Sequence, residues 1–178
     1  MTAKILGMRV DPTSFRGATE LILAWAGGRE SRYVCVANVH MVMEAYDNPS
    51  FREVVNGADL VTPDGMPLVW MLRRCGHETQ TRVHGPELTL RVCREAAREG
   101  LPVGFYGGAP AVLESLTRTL RTRYPGLRVV YAYSPPFRAL SAEEDDAVVQ
   151  AINESGARVL FVGLGCPKQE RWMAAHRG

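Results

Sequence analysis

The feature that most constrains this chain is the alternation of two kinds of apolar segment. "YVCVAN" (33–38), "ADLVTP" (58–63), "PVGFYG" (102–107), "LRVVYAY" (127–133) and "ARVLFVG" (157–163) are unbroken apolar runs of strand length. Runs of that kind read as strands buried on both faces. Between them lie stretches of helical period: "TELILAWAGG", "MPLVWMLRRCG", "PELTLRVCREAAREG", "PAVLESLTRTLRTRYPG" and "AEEDDAVVQAINESG". Several stop at glycine, as helix C-termini tend to. A further short helix is expected over 48–57, "NPSFREVVNG". Trp70 and Met71 are expected on a buried helical stripe, and Trp172 against one face of the last helix. Strand and helix alternate with no hairpin signal. That predicts an α/β three-layer sandwich whose mostly parallel sheet is covered on both faces.

At 178 residues the chain is about one domain, and no linker or low-complexity segment divides it. Hydrophobic residues at 46% against 22% charged exclude a disordered chain. A net charge of +2 gives no mandate for nucleic acid, and of the two basic stretches "RTLRTRYPGLR" reads as one solvated helix face. Nucleic acid is therefore not an expected partner. Cys35, Cys75, Cys93 and Cys166 form no C-x-x-C pair, which excludes the usual zinc and redox spacings and predicts reduced thiols in a cytosolic protein. The segment "MTAKILGMRVDPTSF" has no apolar signal region. No apolar run approaches the roughly 18 residues of a membrane span, so work at a membrane would be done on its surface.

In parallel sheets, ligands bind outside the carboxyl ends of the strands. Five loops fall there: 37–40 with Asn38, 62–65 with Asp64, then 107–110, 133–136 and 163–167. Asp64 followed by Gly65 is ordinary turn chemistry by itself, but its place puts the carboxylate on the functional edge. "FVGLGCPKQE" leads an apolar strand through Gly163 and Gly165 to Pro167 at the first helical position. Lys168 and Gln169 add a positive charge and an amide in the next turn. "GFYGGAP", with Gly107 and Gly108, repeats the plan. Such loops seat a phosphate or pyrophosphate at a helix N-terminus, although the same glycines equally serve tight turns. Arg82 in "TRVHGPE" is either a phosphate clamp or a surface arginine, and Asn38 either meets a sugar hydroxyl or caps the next helix.

Neither standard nucleotide fingerprint is present. There is no G-x-x-x-x-G-K-[ST], against a P-loop phosphotransferase, and no G-x-G-x-x-G after the first strand, against a nicotinamide enzyme. The run "EEDD" (143–146) suits the positive end of a helix dipole, and His40, His77, His84 and His176 have no ligand spacing. No metal and no cofactor is assigned.

"ANVHMVMEA", "NGADLVTPDGMPLVW", "RVHGPEL", "YPGLRVV" and "AINESGARVLFVGLGCPKQERWM" follow one another in an order and spacing that resemble the WecG/TagA/CpsF glycosyltransferases, family 26. The resemblance runs from about Tyr33 to Trp172. It implies a Rossmann-like fold and inverting, metal-independent transfer from a UDP-sugar donor to an undecaprenyl-diphosphate-linked saccharide at the inner leaflet of a bacterial membrane. The sugar would be of N-acetylmannosamine type or a related hexose, and the products teichoic-acid linkage units or exopolysaccharides. The family's general base falls on Asp64, its arginine on Arg82, its glutamine on Gln169 and its asparagine on Asn38. Gly65, Gly107, Gly108, Gly163, Gly165 and Lys168 complete the expected substrate-binding set.

Members commonly carry a further strand and an arginine-rich C-terminal appendage of about 60 residues. The expectation for residues 1–178 is thus a single glycosyltransferase domain without that appendage, cytoplasmic and peripheral to the membrane. The absent appendage also raises homo-oligomer formation through the surface it would cover. Thr81 stands where an acid is often found, and Val36-Ala37 where some members offer a hydroxyl, which leaves the donor sugar open. Two other readings stand beside this one: a nicotinamide- or flavin-dependent oxidoreductase on a similar sheet, and a non-catalytic nucleotide-binding module.

Overall fold

The computed structural model describes residues 2–177. It opens with an antiparallel hairpin that the sequence reading missed, β1 (Ala3–Ile5) and β2 (Met8–Val10). Strands of three residues carry no measurable period. Their turn, Leu6-Gly7, has φ of 48° and 84° without the Asn or Asp that signals such turns.

Then follow α1 (Phe15–Gly28), β3 (Val34–Ala37), α2 (Val39–Asp47), α3 (Pro49–Asn56), β4 (Leu60–Pro63), α4 (Met66–Arg74) and α5 (Gly85–Glu99). The second half runs β5 (Val103–Gly107), α6 (Pro110–Arg123), β6 (Val129–Tyr133), α7 (Ala142–Ser155), β7 (Val159–Gly163) and α8 (Lys168–Ala175). All five apolar runs are strands, and the short helix over 48–57 is α3. β3 pairs with β4 in parallel, and β5 lies between β6 and β7, parallel to both. The expected α/β layering is present.

Helices pack on both faces of these ladders. One core cluster joins Met8, Met41, Phe51, Val61 and Leu72; the other joins Ala18, Val92, Cys93, Phe105 and Leu120. Burying one such large side chain contributes about 1.5–3 kcal/mol. In α5 the residues Leu88, Val92, Cys93 and Ala96 form the buried stripe that its period predicts, and Gly100 ends it at φ 68°. The acidic run opens α7, where Ser141 and Glu144 form a capping box.

Three local expectations need correction. α1 ends at its two glycines as expected, but the left-handed cap position after them is taken by Arg29, at φ 57°, and not by a glycine. Pro167 is the N-cap of α8 and not its first helical residue. Trp70 is 58% exposed and Met71 is exposed too, because α4 turns Leu68, Val69 and Leu72 inward. A nine-residue helix with that many apolar residues cannot bury them all on one face. Trp172 does pack as expected, its ring 4.9 Å from that of Tyr106 and its Nε1 donating to Asp145.

Among the described residues no helix is long and apolar enough to cross a membrane. The four cysteines are free thiols. Burial pushes Cys93 and Cys166 up to about 12, and raises Cys35 as well, while Cys75 is exposed. The thiolate is the reactive form. A colorimetric thiol titration of the native protein near neutral pH is therefore expected to show one fast-reacting group, Cys75, with the others reacting on unfolding. Two or more fast groups would contradict this packing.

Candidate functional site

The first cluster of site residues forms where β3 and β4 end. The Asp64 N–H donates to the Ala37 carbonyl at 2.8 Å, and the Gly65 N–H reaches the same oxygen at 3.4 Å. These bonds staple the turn to the end of β3. Gly65 is extended, at φ −85°, and is the N-cap of α4. Glycine's left-handed freedom is not used here, so the turn explanation of the Asp-Gly pair does not account for it.

Arg82 lies on the segment leading into α5, and that segment is firmly held. The Val83 N–H donates to the Pro63 carbonyl at 2.9 Å, and Thr62 Oγ1 donates to the Val83 carbonyl. The buried Gln80 accepts from the Thr13 N–H and donates to the carbonyls of Thr13 and Thr81. From this base Arg82 Nη2 donates to Asp64 Oδ1 at 2.7 Å, while its Nε donates to the same oxygen and to the Asp64 carbonyl. The Gly85 N–H points at Asp64 Oδ2 from 3.5 Å. Asp64's side chain is 19% exposed and that of Arg82 50%. An exposed pair of this kind stabilises a fold by roughly 0–1 kcal/mol. Its effect is to orient the carboxylate.

Asn38 lies beside this turn as the N-cap of α2, its Oδ1 accepting from the Met41 N–H at 3.1 Å. Capping is thus what its carbonyl does in this state.

The second cluster forms where β5 and β7 end. Gly107 has φ 113°, and a Cβ there would lie 2.4 Å from the Gly163 carbonyl oxygen. The two strand ends touch too closely for any side chain. Gly108 and Gly165, at φ 79° and 83°, face open space. The Gly108 N–H donates to the Gly163 carbonyl and the Gly165 N–H to Gln169 Oε1, each at 3.1 Å. These two donors are therefore engaged within the loops. Lys168 Nζ sits 5.6 Å from the ring centroid of Phe137.

A cavity of about 720 Å³ joins the clusters, with Asn38, Asp64, Gly85 and Gln169 all in its wall. Arg82, Gly65, Lys168 and the four glycines of the second cluster do not line it. Sequence reasoning missed three contributors. Gly85 was visible only as part of a helix start, Gln80 only as part of a polar stretch, and Glu170 as one more helical carboxylate. Glu170 is fully buried in the cavity wall, with Oε1 accepting from Gln169 and Oε2 without a partner.

Residues 3–178 match the profile of the family described as "Glycosyl transferase WecG/TagA/CpsF family". The chain belongs to this family. As a WecG/TagA/CpsF member it is a glycosyltransferase of cell-surface polysaccharide synthesis. Its substrates are, in general terms, a sugar-nucleotide donor and a lipid-linked acceptor. The match spans both halves of the site, from the Asn38–Asp64 edge to the loop that carries Gln169.

Proposed function

We propose that this single domain moves a sugar, with inversion and without a metal, from a UDP-sugar to an undecaprenyl-diphosphate-linked saccharide. The observation that carries the reading is the Asp64 carboxylate at the carboxyl end of β4, oriented by Arg82 and opening on the cavity. Inverting transfer needs a base that takes the proton of the acceptor hydroxyl while its oxygen attacks the anomeric carbon. Asp64 is that base in this scheme. The bond from the anomeric carbon to UDP breaks as the new one forms, and the leaving diphosphate gathers negative charge. Arg82, Lys168 and the amino end of α5 are the cationic and dipolar groups that would stabilise it. In this scheme Asn38 and Gln169, which line the same cavity wall as Asp64, would meet sugar hydroxyls. The enzyme would work in the cytoplasm on the inner face of the plasma membrane, where its acceptor lies.

The competing oxidoreductase reading predicts a different ligand. In calorimetry with EDTA present, UDP is expected to bind and NAD to bind at least about tenfold more weakly, a difference of 1.4 kcal/mol. Tight NAD binding without a UDP signal would overturn the proposal.

A further inference from the structure

Glu170 is a buried carboxylate in the cavity wall to which the transfer scheme gives no task. It has no exposed surface, and among the described residues no cation pairs with it. Asp11, also buried, shows the usual arrangement: Arg9 Nε donates to one of its oxygens at 2.8 Å and the Val61 N–H to the other. The cations nearest Glu170 in sequence face elsewhere, Lys168 toward the ring of Phe137 and Arg171 toward Ser50 and Phe51. Glu170 receives one hydrogen bond, from Gln169 Nε2 to Oε1 at 2.8 Å, and Oε2 receives none. Its charge adds to the burial that pushes the Cys166 thiol up to about 12. A buried carboxylate without a cation is costly, and a well-packed apolar side chain of its volume is often no worse for the fold.

The position has an ordinary use, and this helix cannot make it. Glu170 is the third residue of α8 after its N-cap, Pro167. There a glutamate commonly reaches back to the backbone N–H of the N-cap. Glu144 does so in α7, accepting from the Ser141 N–H at 2.9 Å. Pro167 has no N–H to offer. The positive end of the α8 dipole favours a carboxylate in this turn, but it would favour an exposed one equally.

What Glu170 does hold is the side chain of Gln169. Gln169 is clasped to Gly165 twice: its backbone N–H donates to the Gly165 carbonyl at 3.0 Å, and its Oε1 accepts from the Gly165 N–H at 3.1 Å. With Oε1 facing that N–H and Nε2 facing the carboxylate, the amide has one favourable orientation. Turning it over would set Oε1 against the Glu170 oxygen and Nε2 against the Gly165 N–H, acceptor on acceptor and donor on donor. Among the described residues one Nε2 hydrogen remains uncommitted, on a side chain that lines the cavity. The bond to a carboxylate polarises the amide and strengthens that hydrogen as a donor. The same negative charge repels a phosphate, so the oxygen it suits is a neutral one.

We propose that Glu170 is a positioning residue for the donor sugar: it fixes the Gln169 amide so that its free Nε2 hydrogen meets a hydroxyl or carbonyl oxygen of that sugar. The inference rests on the sugar-transfer reading and divides the donor between two parts of the site. Neutral sugar oxygens fall to the Gln169–Glu170 pair, and the charged diphosphate to Arg82 and Lys168. Glu170, with no exposed surface, touches no substrate itself. Its cost to the fold is borne for what it does to its neighbour.

The test compares Glu170→Met, which removes the acceptor, with Glu170→Gln, which keeps one, each in the wild-type and the Gln169→Ala backgrounds. Tm is read beside calorimetric affinities for UDP and for UDP-N-acetylmannosamine. Glu170→Met is expected to leave Tm equal or higher, since a buried unpaired charge is gone. It is expected to weaken binding of the UDP-sugar by about tenfold, the scale of one hydrogen bond, without moving UDP affinity. Glu170→Gln should restore most of that loss, its amide oxygen accepting from Gln169 in place of the carboxylate. With Gln169→Ala already present, neither change should matter further. A lowered Tm with UDP and UDP-sugar weakened alike is what a purely structural role predicts, and it would overturn the proposal. So would an equal loss of UDP-sugar affinity in the Gln169→Ala background. Firm UDP binding with UDP-sugar affinity unmoved by Glu170→Met would overturn this inference alone, whereas a wild-type chain that binds neither ligand would overturn the transfer reading as well.

Discussion

Replacing Asp64 by asparagine is expected to lower kcat by about 10²–10⁴-fold, the usual loss when a general base is removed. Fold and UDP affinity should remain. Asn can go on accepting from Arg82 through its carbonyl oxygen, and the backbone bond from residue 64 to Ala37 does not involve the side chain. Losing the charge of a half-exposed pair costs at most about 1 kcal/mol. In a chain of this size that lowers Tm by about 2–4 °C. The measurement is kcat beside Tm and UDP affinity. Near-normal kcat would leave Asp64 as an ornament of the turn and end its assignment as base. A fallen kcat on an intact, UDP-binding fold would support it.

Gly107→Ala is expected to give the largest loss of stability, on the order of 3 kcal/mol or more. Two effects add at this position. The backbone is at φ 113°, where a side chain is strained, and the new methyl would sit 2.4 Å from the Gly163 carbonyl oxygen. Neither strand end can retreat without breaking the β5–β7 ladder, which pairs Gly107 with Gly163 directly. Tm should fall by roughly 10 °C. Gly163→Ala is the control, because its Cβ would have no neighbour nearer than 3.9 Å and its φ is ordinary. A similar Tm for both variants would show that the strand ends separate more readily than their contact implies.

The sequence made some of this legible and hid the rest for identifiable reasons. The five apolar runs, α3 and the placement of Asp64 at a strand's carboxyl end are local patterns, and local patterns survive folding. The bond between Arg82 and Asp64 is not local. It depends on Gln80 reaching Thr13, 67 residues away, and no periodicity encodes that. Trp70 failed because apolar spacing says which faces of a helix can be buried and not which face its neighbours cover. Asn38 does cap α2, one of the two roles its place in the sequence allowed. That β3 and β7 each pair on one edge only, among the described residues, was invisible because a strand reads alike whether one edge is paired or two.

The bracing of the Gln80–Val83 segment has a kinetic consequence. With Val83 bonded to Pro63 and Gln80 to Thr13, the backbone that carries Arg82 has no hinge of its own. Freeing the Asp64 carboxylate for an incoming hydroxyl is then a rotation about the bonds of one half-exposed side chain. Exposed rotamers change in picoseconds to nanoseconds, whereas loops that must lift as a whole take nanoseconds to microseconds or longer. On the proposed mechanism, baring Asp64 is therefore expected to be faster than turnover, and solvent viscosity should leave that step untouched.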